Sequence, residues 1–451
     1  MNTQETLEKS RRQLEGAAND VLDYGRTSGA DRVKVAVSAS IERKLMIENK
    51  EFTLANTLES QKVGILVHKD QKKSSSTLNT CHIQTLKKSV DDALSLARFS
   101  VADENLTMAD SLTAPQAKPL PFMFDGKLAE TDLGTLQEFS QTVLSRLTRD
   151  PRVSLDKCEF SVSASWHGMY NSLGVSQSES QTALGWSFFG MAVDGEEVSG
   201  FDYDGRHSYK VDGALDLALN DADLFCEKVL SNLRPRKAPS YKGLVLFSPR
   251  AVQEILLDTI LYHASGTAVM DGKSIWSKHI GRQVVNSLLT ISDHPHDERF
   301  TGATAFDGDG VPTRHHTIVD KGILSMHLHD CYSAKKTGQK TNGMAGGPFA
   351  LIVNRGETDL KAMKSARSDL LIVDRFSGNI DSIKGDFSGV AKSSRLLHAG
   401  TDVGAVTETM IAGNLFELLN DIQAVSCHQE LVSGGMLLPW ILCDQVSVTG
   451  G

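Results

Sequence analysis

The front half of the chain carries one structural plan twice, and a repeated plan restricts the possible folds more than composition does. Residues 4–27 follow a helical period with Leu7, Leu14, Ala18, Val21 and Leu22 on one stripe. Strand-like runs follow at 32–40, 44–55 and 62–68, then a second helical run near 84–99. After a gap the order returns, with a helix at 133–147, strands at 159–165 and 183–193, and a helix at 214–230. The strings Val37-Ser-Ala-Ser40 and Val162-Ser-Ala-Ser165 fall at the same place in each stretch, 125 residues apart. This spacing predicts an internal duplication of a helix–sheet–helix unit, with copies at about 1–100 and 131–231. Residues 101–130, with Pro115, Pro119 and Pro121, read as a linker or exposed loop between the copies.

From residue 243 the character changes. The apolar run Leu244-Val-Leu-Phe247 opens this half and a helix is expected at 250–264. Short strands and glycine turns follow, at 316–319, 323–329, 349–353 and 370–373, with a turn at Asp320-Lys321-Gly322. One late helix is marked by Asn414 as N-cap, with Glu417 three residues on. Pro235 and Pro239 mark the boundary at 232–242. The expected class is α+β: a duplicated N-terminal part, 1–231, followed by a mostly antiparallel β domain, 243–451.

At 451 residues the chain exceeds one ordinary core. Its net charge of -9 argues against a polyanionic partner, because phosphate binding needs a concentrated basic surface. Basic runs such as Lys72-Lys73 and Arg234-Pro-Arg-Lys237 lie in loop-like sequence and read as solvated. The start, Met1-Asn-Thr-Gln-Glu5, carries no secretion pattern, and the apolar run 436–443 is interrupted by Pro439 and too short for a bilayer. Six cysteines without a Cys-x-x-Cys pair read as reduced thiols. A cytoplasmic protein with no membrane or direct nucleic-acid contact is expected.

Candidate chemistry is sparse. Asp293-His-Pro-His-Asp-Glu298 holds five potential ligands in six residues, yet in a loop and without zinc spacing. His327 and His329 share one face of an expected strand, where they could chelate or form the polar side of a half-buried sheet. No Gly-x-Ser-x-Gly elbow occurs, and Gly343-Met-Ala-Gly-Gly347 does not follow a strand-to-helix phosphate pattern. Phe306-Asp-Gly-Asp-Gly310 lacks the spacing and terminal glutamate of a calcium loop and reads as a turn. On the helix at 250–264, Asp258 and His263 are separated by about 140° of rotation, so a metal site using both would need a local bulge.

Several strings in order resemble the TldD/PmbA family of metallopeptidases, once described as modulators of DNA gyrase. They are Phe306-Asp-Gly-Asp-Gly-Val-Pro-Thr313, Gly322-Ile-Leu324, Tyr332-Ser-Ala-Lys335 and Thr341-Asn-Gly343. Phe376-Ser-Gly-Asn-Ile380, Gly385-Asp-Phe-Ser388 and the ending Val446-Ser-Val-Thr-Gly450 follow. In the TldD branch, the resemblance implies, the helix carries His-Glu-x-x-x-His and a cysteine near the C-terminus completes the zinc site. Carried onto this chain, those positions read Asp258, Thr259 and His263, so only the last matches. Cys427 lies in the right region, but Cys-His-Gln is unlike the Cys-Gly-Lys of that branch, and the ligand role is not transferred. A threonine hydroxyl cannot replace the glutamate as general base, because it does not titrate near neutrality.

These departures resemble the PmbA (TldE) branch. The resemblance implies a partner subunit of a TldD-like chain, acting on unfolded peptides in the cytoplasm, with zinc in the partner and none in this chain. No catalytic residue is assigned; Asp258, Thr259 and His263 are the family positions, and His263, His327 and His329 the candidate metal ligands. Two alternatives stay open: an independent metallopeptidase using His263 with His327 or His329, and a non-enzymatic modulator that binds DNA gyrase. A homodimer is a further expectation.

Overall fold

The computed structural model describes residues 2–365 and 369–450. Helix α1 (Thr3–Thr27) starts at a capping box in which Asn2 and Glu5 satisfy each other's backbone. It leads into strands β1 (Arg32–Glu48), β2 (Glu51–Lys69) and β3 (Lys72–Leu78), then helix α2 (Ile83–Ala97). The second copy runs α3 (Leu133–Leu147), β4 (Val153–Asn171), β5 (Ser176–Asp194), β6 (Asp202–Ser208) and α4 (Ala214–Ser231). The strands join into one seven-stranded sheet in the order β3-β2-β1-β4-β5-β6, with the two-residue strand Glu197–Val198 at its rim.

The copies meet where β1 and β4 pair antiparallel, and Ser40 stands opposite Ser165. These are the last residues of the two repeated strings, so the repeat closes on itself about a local pseudo-two-fold axis. Alternation sends Val33, Val35, Val37, Ala39, Leu45 and Ile47 of β1 toward the helices, together with Phe160, Val162, Ala164 and Trp166 of β4. All four helices therefore pack on one face. The other face carries small side chains, among them Ser38, Ser40, Ser60, Ser163 and Ser165.

The strands are longer than their sequence runs. Residues 44–55 are not one strand: the chain reverses at Asn49–Lys50, with φ of 50° and 69°, and again at Asp70–Gln71, with φ of 50° and 60°. Left-handed pairs of this kind match the twist of a two-residue hairpin. Neither turn contains glycine, which hid the first of them.

Residues 101–130 are exposed only in part. Met108, Ala109, Ala114, Ala117, Met123, Leu128 and Ala129 are buried. The segment lies as a strap between the halves: Ala109 and Ala114 pack with Val175, Val311 and Cys331, and Ala117 packs with Met169, Ala305 and Phe306.

The back half contains strand β7 (Tyr241–Phe247), helix α5 (residues 249–264), and strands β8 (Asp369–Val373), β9 (Ile422–Val432) and β10 (Met436–Thr449). The long β10 pairs antiparallel with β7 and β9 and parallel with Leu351–Val353, while β7 runs parallel to β8. Together with the shorter strands they make a 14-stranded, mostly antiparallel sheet system among the described residues. The fold is α+β. This half covers the small-residue face of the first sheet: Lys34 reaches Asp309 at 3.2 Å, and the rings of His167 and Phe306 lie 5.3 Å apart. Among the described residues no helix is long and apolar enough to cross a membrane.

Candidate functional site

Helix α5 begins with Pro249 at its first turn, and the Ser248 hydroxyl accepts the Ala251 N–H at 3.3 Å. Residues Val252–Leu257 then form a π-helical segment before the regular α-helix Asp258–Ala264. The wide turn lets Val252, Ile255, Leu256 and Leu257 all enter the core with Ile260 and Ala264. It lies before Asp258, so the path from 258 to 263 is regular and the two side chains diverge.

Asp258 is exposed along a shallow groove with Gln253, Glu254, Phe376, Ser377 and Gly378. Partial burial raises its carboxyl above the usual range. Glu254 lies one turn earlier; burial raises it too, against the opposing N–H of Phe376, which donates to it at 2.6 Å. Thr259 faces inward, fully buried, and its hydroxyl has no hydrogen-bond partner.

His263 is also fully buried. Its Nδ1 accepts the backbone N–H of Ile275 at 3.3 Å, which obliges Nε2 to carry the proton it donates to Ser382 O at 2.7 Å. The ring lies among Tyr262, Trp276 and Phe416, at centroid distances of 5.1, 5.5 and 5.2 Å. Burial holds the imidazole below its ordinary pKa, in the neutral form this tautomer needs. A metal would need one of those lone pairs, and both nitrogens are committed to backbone. The residues at the three family positions do not fit a zinc ion: a carboxylate outside, an inert hydroxyl inside, and a saturated imidazole.

The other candidates are dispersed. His327 and His329 do not lie on a strand; the strand ends at Leu324, and both rings turn inward from irregular backbone. Asn342 imposes this path by donating to His327 O at 2.7 Å and accepting the His329 N–H at 2.9 Å. His327 Nε2 meets Trp276 O at 3.1 Å and His329 Nδ1 meets Ser333 at 3.2 Å. The His329 Nε2 is buried without a partner. In the loop at 293–298, Asp293 accepts the N–H groups of Phe349 and Ala350, His296 bonds Thr313, and Asp297 pairs with Arg299. His294 bonds Ser292 and the exposed Glu298 pairs with Lys210, while Asp293 Oδ2 is buried without a partner. Cys427 is exposed on β9, its N–H donating to Thr358 O at 2.9 Å. Among the described residues no three His, Cys, Asp or Glu side chains group as a metal site.

A different cluster joins the two halves, and no local motif announces it. Asp202, at the start of β6, is fully buried and pairs with Arg250 of α5 at 3.0 Å and with Arg375 at 3.5 Å, and the Ser393 hydroxyl also donates to it. Burial pushes this carboxyl up, but Lys228, Arg250, Ser393 and Arg375 together hold it below the usual range. The Tyr203 ring stacks against both guanidiniums, at 4.1 and 4.3 Å. Lys228 pairs with Asp374 at 3.2 Å. Beside the cluster opens a cavity of about 500 Å³, between Glu159, Ser161 and His207 of the first sheet and Arg250, Ser433 and Gly434 of the back half. The cluster's members come from five separate places in the chain, and Arg375, next to the string Phe376-Ser-Gly-Asn-Ile380, was the nearest available signal.

Residues 240–450 match the family model of the PmbA/TldA metallopeptidase C-terminal domain. The metalloprotease PmbA homolog of Haemophilus influenzae is 27% identical over 470 residues, covering 100% of this chain and 99% of its own. Metalloprotease PmbA of Escherichia coli O157:H7 is 28% identical, with 96% of each chain covered. The crystal structure of TldE from Thermococcus kodakarensis shares the fold, with a TM-score of 0.85 at 19% identity over 96% of this chain and 100% of that one. So does a protein of Thermotoga maritima described as a modulator of a DNA gyrase, with a TM-score of 0.84 at 20% identity over 96% of this chain and 100% of that one. Residues 240–450 therefore belong to the PmbA/TldA metallopeptidase C-terminal domain family, and along its whole length the chain is similar to PmbA proteins.

Proposed function

We propose that this chain is a PmbA/TldE-like subunit of a cytoplasmic metallopeptidase complex, which processes unfolded peptides with zinc held by a TldD-like partner. The observation that carries the reading is the double backbone commitment of His263, which leaves the matching family position with no lone pair for a metal. Thr259 supports it, since a buried hydroxyl supplies no general base. Six free cysteines suit a reducing compartment. In the complex this chain's part is enclosure: the cavity between the first sheet and the back half, beside the Asp202 cluster, takes part of an extended peptide.

The test is reconstitution. The pure chain is expected to hold no stoichiometric zinc and to cleave no unfolded peptide alone, whereas a mixture with a TldD-like chain cleaves. Stoichiometric zinc lost in His263→Ala would sink the reading, and so would cleavage that survives mutation of the partner's His-Glu-x-x-x-His. The gyrase reading rests on likeness to the Thermotoga protein described as a modulator of a DNA gyrase. Direct gyrase binding at physiological salt, with no peptidase activity in any mixture, would replace the first reading with that one.

A further inference from the structure

The Lys228–Asp374 ion pair is a wall with space on both sides. On one side lies the cavity between the first sheet and the back half. On the other opens a second cavity of about 550 Å³, and both residues line each of the two. The second cavity sits where the end of α4 meets the back half. Its apolar lining is Ile372 of β8, Leu397 of the strand Ser394–His398 and Trp440 of β10. Lys361 and Lys364 reach it from the short helix Leu360–Ser365, which the buried Met363 fixes to the sheet. Three residues apart, the two lysines share one face of that helix.

Among the described residues the cavity is lined by four cations, Lys228, Lys361, Lys364 and Arg395, and by two carboxylates. Both carboxylates are taken: Asp374 pairs with Lys228 at 3.2 Å, and Asp402 with Arg395 at 2.8 Å. Lys361 and Lys364 pair with no carboxylate among the described residues, and Lys364 lies over the Trp440 ring at 5.1 Å. Two ammonium groups beside an apolar surface suit an anion carried on an apolar body. A second observation concerns Asn232, which follows the last residue of α4 and also lines the cavity. It is 6% exposed, and its N–H bonds Lys228 O, but its side-chain amide makes no hydrogen bond among the described residues. A buried amide needs both an acceptor and a donor, and a peptide group supplies the two at once.

We propose that this cavity binds the C-terminal residue of a peptide. The terminal carboxylate sits on Lys361 and Lys364, the last side chain on Ile372, Leu397 and Trp440, and the last peptide group on the Asn232 amide. The proposal rests on the reading that the complex handles unfolded peptides. It adds which end of the peptide this chain holds, and that an apolar last residue is preferred. An inorganic anion would leave the apolar lining and Asn232 unused, and a simple aryl acid would leave Asn232 unused. The shared Lys228–Asp374 pair sets this anchor next to the cavity assigned to the extended peptide.

The experiment titrates the full chain, without a partner, by calorimetry with acetyl-Ala-Ala-Phe as the free acid and as the amide. The acid is expected to saturate one site, and the amide to bind at least about tenfold more weakly. K361Q/K364Q changes two side chains at the mouth of the cavity and should erase the difference between acid and amide. N232D, close in shape to the native residue, should weaken both forms, because a carboxylate cannot donate to the peptide C=O. Circular dichroism checks that each variant is folded. Equal binding of acid and amide overturns the proposal, as does no saturation at millimolar peptide. So does binding of inorganic phosphate or 3-phenylpropanoate as tight as that of the peptide acid. Cleavage by the mixture with a TldD-like chain is read separately: cleavage without binding here overturns the anchor alone, and binding without cleavage upholds the anchor while the proposed function falls.

Discussion

The backbone N–H of Ile275 points at Nδ1 of His263 from 3.3 Å, and that contact fixes which ring nitrogen carries the proton. With Ser382 O on the other side, the imidazole links three stretches of chain: helix α5, the segment after it, and the loop before Gly385. The Ser274 hydroxyl adds a bond to the carbonyl of the same residue at 2.6 Å. His263→Ala removes a fully buried ring and leaves the part-buried N–H of Ile275 and C=O of Ser382 without their partner. It should lower unfolding stability by about 3 kcal/mol. Urea denaturation measures this, and zinc content before and after should not differ.

Restoring the family glutamate should fail. Thr259 is fully enclosed and its hydroxyl already lacks a hydrogen-bond partner, so Thr259→Glu buries a carboxylate in a site that does not satisfy even a hydroxyl. The variant is expected to lose several kcal/mol, on the order of 3–5, or to hold its new carboxyl protonated. Combined with Asp258→His it should still bind no zinc, because His263 offers no free nitrogen. Thermal melts and metal analysis of T259E and D258H/T259E check both statements.

The duplicated plan was legible because it rests on local periodicity. Leu133–Leu147 matches its expected span to the residue, since its apolar stripe and the Asp132 cap are both local. The hairpin turn at Asn49–Lys50 escaped, because two side chains that tolerate left-handed backbone do the work usually marked by glycine. His327 and His329 alternate like a strand, but Asn342, more than ten residues away, takes their backbone out of the sheet. The Asp202 cluster could not be read at all, since spatial convergence of Lys228, Arg250, Asp374 and Arg375 has no linear signature. The bulge that a shared 258–263 site would require does exist in α5, but at Val252–Leu257, where it serves core packing.

The Asp202 cluster yields a third prediction. Arg250→Met removes the nearest cation from a fully buried carboxylate and should cost about 3 kcal/mol. Asp202→Asn in the same background removes the stranded charge. The double variant should therefore lose less than the sum of the singles, a coupling that a double-mutant cycle by urea denaturation would measure. Strict additivity would mean that the pair does not interact.

Acid should weaken the fold through its buried histidines. His68 is held at about 4, first by burial and then by Arg32, Lys73 and Lys34. His263, His316, His327 and His329 are likewise lowered, chiefly by burial. These rings are neutral when folded and take protons more readily when unfolded. Their contribution is complete above about pH 6.5 and is lost as pH falls toward 4. The buried Asp307 carboxyl, pushed up to about 6, works the other way, favouring the fold at low pH and losing that advantage as pH rises. The Asp221, Glu254, Asp258 and Asp293 carboxyls are raised by burial as well and also oppose the histidines, whereas Asp202 and Asp297, held low by their cationic partners, add to the loss on acidification. Urea midpoints between pH 7.5 and 4.5 should fall, and His68→Gln should make the fall shallower.

The opposition of Ser40 and Ser165 bears on how the chain is made. Because β1 is flanked by β2 and β4, its second neighbour is synthesised more than a hundred residues later. A ribosome that has released only the first copy exposes a half-built sheet whose inner edge is open. That edge closes only when the second copy emerges, and the buried strap of residues 101–130 acquires its seat later still, when Ala303–Val311 is made. The duplicated half is thus one obligate folding unit with a long-range, late-forming seam. Chaperone dependence during synthesis should track that seam, and fragments that stop before β4 should aggregate while fragments that include it should be better protected.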